Sequence, residues 1–407
     1  MNILFLTGYF YPEKYSSSAI FSDLLEELSK NNKVDIITPQ PTRGVSENDY
    51  INYKINETIN GITVHRFPMQ KESDSTIKRF IRYFKCNHYY KKLAKQIDKF
   101  DCVFTASTPP IIALAAVKIA KKAKVPFIYN LQDIFPDSLV NAGMTANGSL
   151  LFKIGRKIEN YTYKNADKII VISESFKENI MKKGVPENKI EVVYNWIDEK
   201  KVVPIKREDN KLFDTFNLDR NKFYVTYAGN LGNSQNIEII LKAAKKLREN
   251  TNINFVIFGD GSQKQNVVSV IKNEKLENVK LLPMQSYDLV SEVYSLGNAS
   301  IITCKKGAGN GAFPSKTLSI MSTKTAVLTS FDLDSELTEK INKANCGICC
   351  DSDDINALVN AILELYNNPT TCNTLAQNGL TLVQTTFSKD ICLKKFIDVI
   401  SSINTTP

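Results

Sequence analysis

A glycine-rich loop in the second half of the sequence combines backbone hydrogen-bond donors with a lysine. It runs from Lys305 to Lys316, contains three glycines, and leads into Pro314, a residue suited to the first turn of a helix. Free N–H groups at a helix start and a nearby ammonium can bind an anion such as a diphosphate. The spacing does not match the Gly-x-x-x-x-Gly-Lys-Ser/Thr loop of nucleoside triphosphatases. We therefore predict a diphosphate site here, with a plain loop and a solvated lysine as the alternative.

Two shorter glycine turns follow apolar stretches that read as strands. Gly259, Asp260 and Gly261 come after one such stretch, and Gly229 and Asn230 come after another. Glycine allows positive φ and close approach of the backbone to a ligand. Each turn alone could be an ordinary connection. Two of them at the ends of neighbouring strands favour a shared ligand.

Two carboxylates occupy one loop in the first half. The segment from Asn130 to Ser138 follows an apolar strand and contains Asp133 and Asp137. Carboxylates in such a loop can orient a substrate or transfer a proton. The alternative for Asp137 is that it caps the next helix.

Two pairs of aspartates have a spacing that metal ligands can use. They are Asp332 with Asp334 and Asp351 with Asp353. Both pairs precede helical patterns, where N-capping and the helix dipole explain acidic residues. We therefore expect no metal and no cofactor.

The eight cysteines are scattered through a long chain, which favours free thiols. Cys346 and Cys349 have the Cys-x-x-Cys spacing of redox and zinc sites, but the segment reads as a buried strand and neither histidine is near in sequence. We interpret these cysteines as core residues.

The elements that must position these residues alternate between short apolar strands and helix-length segments, the pattern of parallel sheets covered by helices. Strands are predicted at residues 2–7, 33–38, 61–67, 102–107, 127–131, 168–173 and 190–195, and then at 223–228, 252–258, 279–282, 299–304, 325–330 and 346–350. We predict an α/β fold of two Rossmann-like domains, residues 1–198 and 199–387, with a helix at about 388–403 that packs back onto the first. Ligands of open parallel sheets bind beyond the carboxyl ends of the strands, so we expect the site in an interdomain cleft.

Composition excludes several classes of protein. A chain of 407 residues with 43% hydrophobic residues can form substantial cores, which excludes a disordered protein. No apolar run approaches the roughly 20 residues that cross a bilayer, and the N-terminus lacks a basic leader. We therefore expect a cytoplasmic protein. The first strand is not followed by Gly-x-Gly-x-x-Gly, which disfavours a nicotinamide-dependent enzyme.

Positive charge is concentrated in one segment of the first half. The net charge is +9, and residues 77–100 contain eight basic residues and one acidic residue, with aromatic residues between them. Basic residues and aromatic side chains together favour an anionic membrane surface. The alternative is an amphipathic helix that packs on the sheet and leaves its lysines in solvent. No nucleic-acid partner is expected.

These segments together resemble the retaining glycosyltransferases of family 4, which have the GT-B fold. Residues 3–6 followed by 9–13 are similar to that family's first strand and loop. Residues 227–232, 258–261 and 313–316, with Met321, are similar to a branch that includes N-acetyl-L-fucosamine transferases of bacterial surface-polysaccharide assembly. The resemblance covers nearly the whole chain.

The resemblance implies a donor site in the second domain and an acceptor site in the first. The residues that it assigns to the donor are Gly229, Asn230, Gly259, Asp260, Gly261, Gly309, Gly311, Pro314, Ser315 and Ser319. Those assigned to the acceptor side are Tyr11, Glu13, Ser17 and Asp137. Lys316, with the N–H groups from Gly309 to Ser315, is expected to stabilise the departing diphosphate, and Asp133 to orient the acceptor or the sugar.

The sequence departs from the family pattern at three places. Gly311 and Ser319 stand where the family usually has two glutamates. Asn230 and Gln235 stand where it commonly has an arginine and a lysine, and the stretch 107–109 replaces a histidine. Lys316 is therefore the clearest candidate cation for the diphosphate.

The expected function is transfer of a sugar, with retention, from a nucleotide-diphosphate donor to an acceptor in surface-polysaccharide synthesis. The donor is expected to be a UDP-linked N-acetylated deoxysugar or hexosamine, and the acceptor a saccharide linked to polyprenyl diphosphate. The enzyme would lie at the inner face of the plasma membrane. A sugar-nucleotide epimerase of GT-B fold and a sugar-nucleotide-binding module without activity remain as alternatives.

Overall fold

The computed structural model describes residues 1–13, 18–42, 45–71, 76–141, 144–309 and 313–403, with the backbone alone at 18–19, 76–80 and 141. The chain forms two compact units. The first comprises Met1–Tyr194 and the C-terminal segment from Leu393, and the second comprises Asn195–Cys392.

The first unit is built on one eight-stranded sheet. Its strands are β1 (Asn2–Leu6), β2 (Lys33–Pro39), β3 (Asn56–Ile59), β4 (Ile62–Phe67), β5 (Cys102–Ala106), β6 (Phe127–Leu131), β7 (Lys168–Val171) and β8 (Ile190–Val192). They are ordered β3-β4-β2-β1-β5-β6-β7-β8. All described pairs are parallel except β3 with β4.

Helices cover this sheet. They are α1 (Ser18–Ser29), α2 (Glu47–Ile51), α3 (Thr76–Leu93), α4 (Ala113–Ala123), α5 (Asp137–Asn141), α6 (Leu150–Asn165) and α7 (Glu174–Lys182). Every residue of β5 and β6 is buried, as expected for parallel strands with both faces covered. The core continues from these strands through α4 and into α6 and α7.

The second unit is built on a six-stranded, all-parallel sheet. Its strands are β9 (Phe223–Asn230), β10 (Ile253–Asp260), β11 (Val279–Leu282), β12 (Ala299–Thr303), β13 (Ala326–Ser330) and β14 (Gly347–Cys350). They are ordered β11-β10-β9-β12-β13-β14. The strand reversal between β9 and β12 is a topological switch point, where ligands of open α/β sheets bind.

The helices of the second unit follow its strands. They are α8 (Leu212–Thr215), α9 (Ile237–Lys246), α10 (Lys264–Asn273), α11 (Val290–Ser295), α12 (Lys316–Ser322), α13 (Glu336–Ala344), α14 (Ile355–Asn367) and α15 (Pro369–Leu382). The last helix, α16 (Lys389–Ser402), ends in the first unit, where the ring of Phe396 lies 5.9 Å from that of Phe104.

The structure confirms the α/β prediction and each predicted strand. It adds β3, a short antiparallel strand that pairs with β4. All eight cysteines are free, as expected. Among the helices in the described part of the chain, none is long and apolar enough to span a bilayer.

Candidate functional site

Lys316 begins α12, and its ammonium lies beside the turn that ends β9. Its Nζ is 4.3 Å from the centre of the Tyr227 ring, and a Cβ on Gly229 would lie 2.9 Å from it. No acceptor or carboxylate within the described ranges pairs with this ammonium. Burial lowers the pKa of Lys316 to about 8. The arrangement leaves a desolvated cation next to a glycine, where an anion can approach.

The two glycine turns lie side by side, as predicted. In the parallel pairing of β9 with β10, Gly229 is opposite Gly259 and Asn230 is opposite Asp260. Gly229 has φ +146°, a conformation that glycine adopts most readily. A Cβ on Gly259 would lie 2.7 Å from the Gly229 carbonyl oxygen. Glycine is therefore required for the close approach of the two strand ends.

Asp260 is exposed and forms local bonds. Its carboxylate accepts from the N–H of Gly261 at 2.8 Å and from Lys264 Nζ at 2.9 Å. These bonds, with Lys264 first, lower the pKa of Asp260. Its charge is therefore balanced at the start of α10.

A buried aspartate holds the glycine loop that follows β12. The N–H groups of Gly307 and Gly309 donate to the two carboxylate oxygens of Asp332, at 2.9 and 2.8 Å. The Ser352 hydroxyl donates to the same carboxylate at 3.2 Å. The expectation that the Gly309 N–H binds a diphosphate is therefore wrong, because that donor is already used within the protein.

The rest of the predicted loop contributes little beyond Lys316. Ser315 is exposed and is the N-cap residue of α12, but its side chain makes no capping bond. Pro314 is half-buried, and Ser319 is buried inside the helix. Gly311 lies outside the described residues. Because α12 has only seven residues, the lysine is the main contribution that this segment can make to anion binding.

The two aspartate pairs were expected to serve as N-caps or to compensate helix dipoles, and the N-capping part of that expectation is wrong. Ser335 caps α13 and accepts the Thr338 N–H, while Asp354 caps α14 and accepts the Ala357 N–H. Over the ranges that the structure describes, no group of three or more His, Cys, Asp or Glu side chains could hold a metal ion. Metal independence remains a prediction.

Asn230 and Gln235 both lie against Gly232. A Cβ on Gly232 would lie 2.8 Å from Asn230 Nδ2 and 2.6 Å from Gln235 Oε1. The Tyr227 hydroxyl donates to the Asn230 carbonyl at 2.8 Å. Gln235 Oε1 is buried with no hydrogen-bond partner among the described residues. Tyr227 thus orients this turn and also contacts Lys316.

In the first unit, one buried hydroxyl fixes the loop that contains Asp133. Ser107 Oγ, just beyond β5, accepts the N–H of Gln132 at 2.9 Å and of Asp133 at 3.0 Å. The Asp133 side chain is exposed, yet surrounding protein atoms desolvate it enough to raise its pKa. Asp133 is therefore an accessible carboxylate on a loop that hydrogen bonds to Ser107 hold in place.

Asp137 lies in an ion-pair network. Its carboxylate pairs with Arg156 and, at 2.6 Å, with Lys183 Nζ. Both cations also pair with the buried Glu159. Gly155 packs so tightly that a Cβ there would lie 2.7 Å from the Phe135 ring. Asp137 therefore anchors its loop to α6. Because the charge of Asp137 is balanced by two cations, Asp133 is the better candidate for contact with an acceptor.

The predicted acceptor-side residues near β1 have different environments. Tyr11 is 62% exposed, so its ring is accessible. Glu13 is buried, and its carboxylate accepts the N–H of Phe10 at 3.2 Å and of Thr42 at 2.7 Å. The expectation that Glu13 contacts an acceptor is therefore wrong, since it joins two loops. Ser17 lies outside the described residues.

The basic segment forms α3, whose two faces differ. Ile81, Phe84, Lys85, His88 and Lys92 are exposed and recur at helical spacing. We call these five residues the exposed α3 face.

The opposite side of α3 packs on the sheet. Arg82 is buried and donates to Thr42 Oγ1 at 2.7 Å. Tyr90 is fully buried and donates to the Thr7 carbonyl at 2.7 Å. The expectation that these two residues face an anionic surface is wrong.

Sequence reasoning missed Tyr227 as a contact of Lys316, Asp332 as the support of the glycine loop, and Ser107 as the support of the Asp133 loop. Ser107 and Asp332 lie just beyond the carboxyl ends of β5 and β13, whereas Tyr227 lies inside β9, three residues before its end. Position after a strand is a signal that could have identified Ser107 and Asp332.

Family models match most of the chain. Residues 20–201 match the model of Glycosyltransferase Family 4, and residues 208–381 match that of Glycosyl transferases group 1. The two matches follow one another along the chain and correspond to its two α/β units.

Individual proteins are similar along the chain. A putative colanic acid biosynthesis glycosyl transferase, WcaI, of Escherichia coli K12 is 24% identical over 98% of this chain and 99% of that protein. The N-acetylgalactosamine-N,N'-diacetylbacillosaminyl-diphospho-undecaprenol 4-alpha-N-acetylgalactosaminyltransferase of Campylobacter jejuni is 28% identical over 58% of this chain and 59% of that protein.

The fold is shared with solved structures. The structure of Anabaena Alr3699/HepE in complex with UDP has a TM-score of 0.74 at 14% identity, over 99% of this chain and 100% of that chain. This likeness agrees with the two parallel sheets described above. With the two family matches over residues 20–201 and 208–381, it shows that the chain is a glycosyltransferase of the GT-B fold, with a Glycosyltransferase Family 4 domain followed by a group 1 domain.

Proposed function

We propose that this enzyme transfers a sugar from a nucleotide-diphosphate donor to a saccharide acceptor in bacterial surface-polysaccharide synthesis, with retention of anomeric configuration. The observation that carries the proposal is the unpaired ammonium of Lys316 beside Gly229. A desolvated cation interacts strongly with an anion because little solvent screens it. The relatives WcaI and the Campylobacter transferase support the polysaccharide context.

In the proposed reaction, the bond between the anomeric carbon and the diphosphate oxygen breaks as the acceptor hydroxyl attacks from the same face. The bonding electrons leave with the diphosphate, and the acceptor proton passes to it. Lys316 stabilises the charge that develops on that leaving group. No enzymic nucleophile is required.

Asp133 is proposed to orient the acceptor or the transferred sugar. Its loop is held by the Ser107 hydroxyl and by the Asp137 ion pairs. A carboxylate held in this way can accept a hydrogen bond from a sugar hydroxyl with little loss of conformational entropy. Tyr11, with its exposed ring, is proposed to contact the acceptor as well.

The donor is proposed to be UDP-linked, with an N-acetylated deoxysugar or a hexosamine as the sugar. Support for UDP comes from the HepE structure, which contains that nucleotide. Support for a polyprenyl-diphosphate-linked acceptor comes from the Campylobacter relative, whose name includes diphospho-undecaprenol. The proposal includes peripheral association with the inner face of the plasma membrane, supported by the exposed α3 face.

A panel of UDP-, GDP- and dTDP-sugars tests the proposal, first by thermal stabilisation and then by turnover with a short-chain polyprenyl-diphosphate saccharide. We expect one UDP-sugar to stabilise the enzyme and to be consumed only with acceptor, including in EDTA. A changed sugar without acceptor would indicate an epimerase, and binding without consumption would indicate a binding module. Either result would overturn the proposal, as would a β-linked product from an α-linked donor.

A further inference from the structure

The first unit contains a groove where α3 and α4 end. It has a volume of about 780 Å³, within the usual range for small-molecule sites. Its rim carries Lys91, Lys92, Lys95, Lys118 and Lys122, with His88. Ile97, Phe100 and Ile119 are among the apolar residues beneath them. We call this the basic groove.

The basic groove lies at the amino-terminal ends of the strands of this sheet. Its segment at 95–100 leads directly into β5, and the end of α4 leads into β6. The Asn2 side chain donates to the Lys99 carbonyl at 3.0 Å, which places this segment at the start of β1. Asp133 and Ser107 follow the opposite ends of these strands. Because β5 and β6 each have five residues, their amino-terminal and carboxyl ends are about 17 Å apart.

The five lysines of the groove have no ionic partner among the described residues. Within the described part of the chain, none of the five has an ion pair or a hydrogen bond through its side chain. By contrast, Lys168, Lys177 and Lys183 each pair with a carboxylate. No described carboxylate lines the groove. Like charges in one concavity repel each other, and a bound anion relieves that repulsion.

The shape and the apolar floor narrow the ligand further. A concave groove of this size accepts a single small molecule, whereas a flat membrane surface does not enter it. Phe100 and Ile119 are largely buried but still line it, so an apolar group can cover them. We propose that the basic groove is a second ligand site, which binds a phosphate-bearing molecule. It lies at the amino-terminal ends of the strands, whereas Asp133 follows the carboxyl end of β6. The basic groove uses none of the residues proposed for donor or acceptor binding, and it shares His88 and Lys92 with the exposed α3 face.

Two sources can supply such a phosphate: a phospholipid headgroup and a soluble polyphosphate. Calorimetric titration of the full chain with two probes distinguishes them. The first is dihexanoyl phosphatidic acid below its critical micelle concentration, and the second is inorganic tripolyphosphate. Because the floor is apolar, we expect the lipid to bind more tightly. Tighter binding of tripolyphosphate would also support the site and would assign it to a soluble ligand.

The variant Lys118→Glu/Lys122→Glu removes two groove lysines that lie outside α3. Since each lysine near an anionic group contributes about fivefold to affinity, we expect binding to weaken by tenfold or more. The matched control is Lys153→Glu/Lys157→Glu, an exposed pair on α6 with the same spacing and charge change. Melting temperatures of both variants establish that they fold.

Three results would overturn the proposal: neither probe binds, both double variants lose affinity equally, or neutral dihexanoyl phosphatidylcholine binds as tightly as the phosphatidic acid. None of these measurements uses a sugar nucleotide or turnover. Failure of the basic groove and failure of the proposed glycosyl transfer are therefore distinguishable.

Discussion

The ammonium of Lys316 lies 4.3 Å from the centre of the Tyr227 ring, and no described carboxylate balances it. A cation over an aromatic face is attracted by the ring quadrupole, by about 0.5–2 kcal/mol. That attraction holds the ammonium in place without neutralising it. The lysine is therefore positioned for an anionic ligand before any ligand arrives.

Replacing Lys316 with Ala is expected to lower kcat/KM for the nucleotide sugar by about 10- to 150-fold. This corresponds to roughly 1.5–3 kcal/mol, the range for a hydrogen bond to a charged group. Steady-state kinetics measures it. Lys305→Ala, an exposed lysine of the same loop, is the control and should retain activity. An unchanged kcat/KM in Lys316→Ala would remove this residue from the site.

Affinity for UDP is expected to fall as pH rises through about 8. The pKa of Lys316 is lowered to about 8 by burial, so the ammonium loses its proton above that pH. The terminal phosphate of UDP is already fully ionised there, since such groups titrate near pH about 6. Titration calorimetry from pH 7 to pH 10 measures the change. Lys316→Arg, which stays charged, should flatten the profile, and a wild-type affinity independent of pH would contradict the assignment.

Lys316→Met is expected to stabilise the protein at neutral pH while it weakens donor binding. The folded-state pKa of about 8 is below the ordinary value of 10.5, so the unfolded chain binds more protons between these values. Wild-type stability should therefore rise from pH 8 to 10.5, by at most roughly 3 kcal/mol. The variant lacks this rise. Calorimetric melting of both proteins at pH 7 and pH 10 measures this difference. A variant less stable than the wild type at pH 7 would show that the buried ammonium does not destabilise the fold.

Asp332→Asn is expected to weaken donor binding although Asp332 touches no donor in our proposal. An amide can accept through only one atom, so one of the two glycine N–H bonds is lost. We expect kcat/KM to fall by about tenfold or more, because a hydrogen bond to a charged group contributes roughly 1.5–3 kcal/mol. Asp334→Asn, an exposed neighbour, is the control. Equal kcat/KM values in the two variants would show that the conformation of the glycine loop does not affect activity.

The exposed α3 face is expected to bind anionic vesicles in a salt-sensitive way. Phe84→Ser/Lys85→Glu should reduce sedimentation with phosphatidylglycerol vesicles by about fivefold or more, since each basic residue contributes about 1 kcal/mol. Val268→Ser/Lys272→Glu, an exposed pair on α10, is the matched control. Equal binding to neutral vesicles, or equal loss in the control, would exclude this face as a membrane contact.

Sequence periodicity predicted the strands well because parallel strands covered on both faces are continuous apolar runs. The run at 102–107 and its counterpart at 127–131 show this clearly. β3 was missed because only alternate residues are partly buried and Asn56 and Glu57 are polar. Its existence depends on pairing with β4, which is a tertiary effect.

The candidate site was predicted less completely. Spacing identified Lys316 and the glycine turns, since glycine and lysine have few other reasons to adjoin strand ends. It could not show that Asp332 occupies the Gly309 N–H or that Glu13 is buried, because both facts depend on residues far apart in the chain. Residue type alone did not distinguish an acid that holds a loop from one that meets a ligand.

β3 also determines how the first sheet ends. An edge strand of a sheet presents unpaired N–H and C=O groups to any extended chain that it meets. Here the open side of β4 is covered by only four residues that run the opposite way, with Asn56 and Ile59 at the two ends. A template so short offers little length for a further strand from another molecule. This short cap therefore disfavours polymerisation of the protein through the sheet edge.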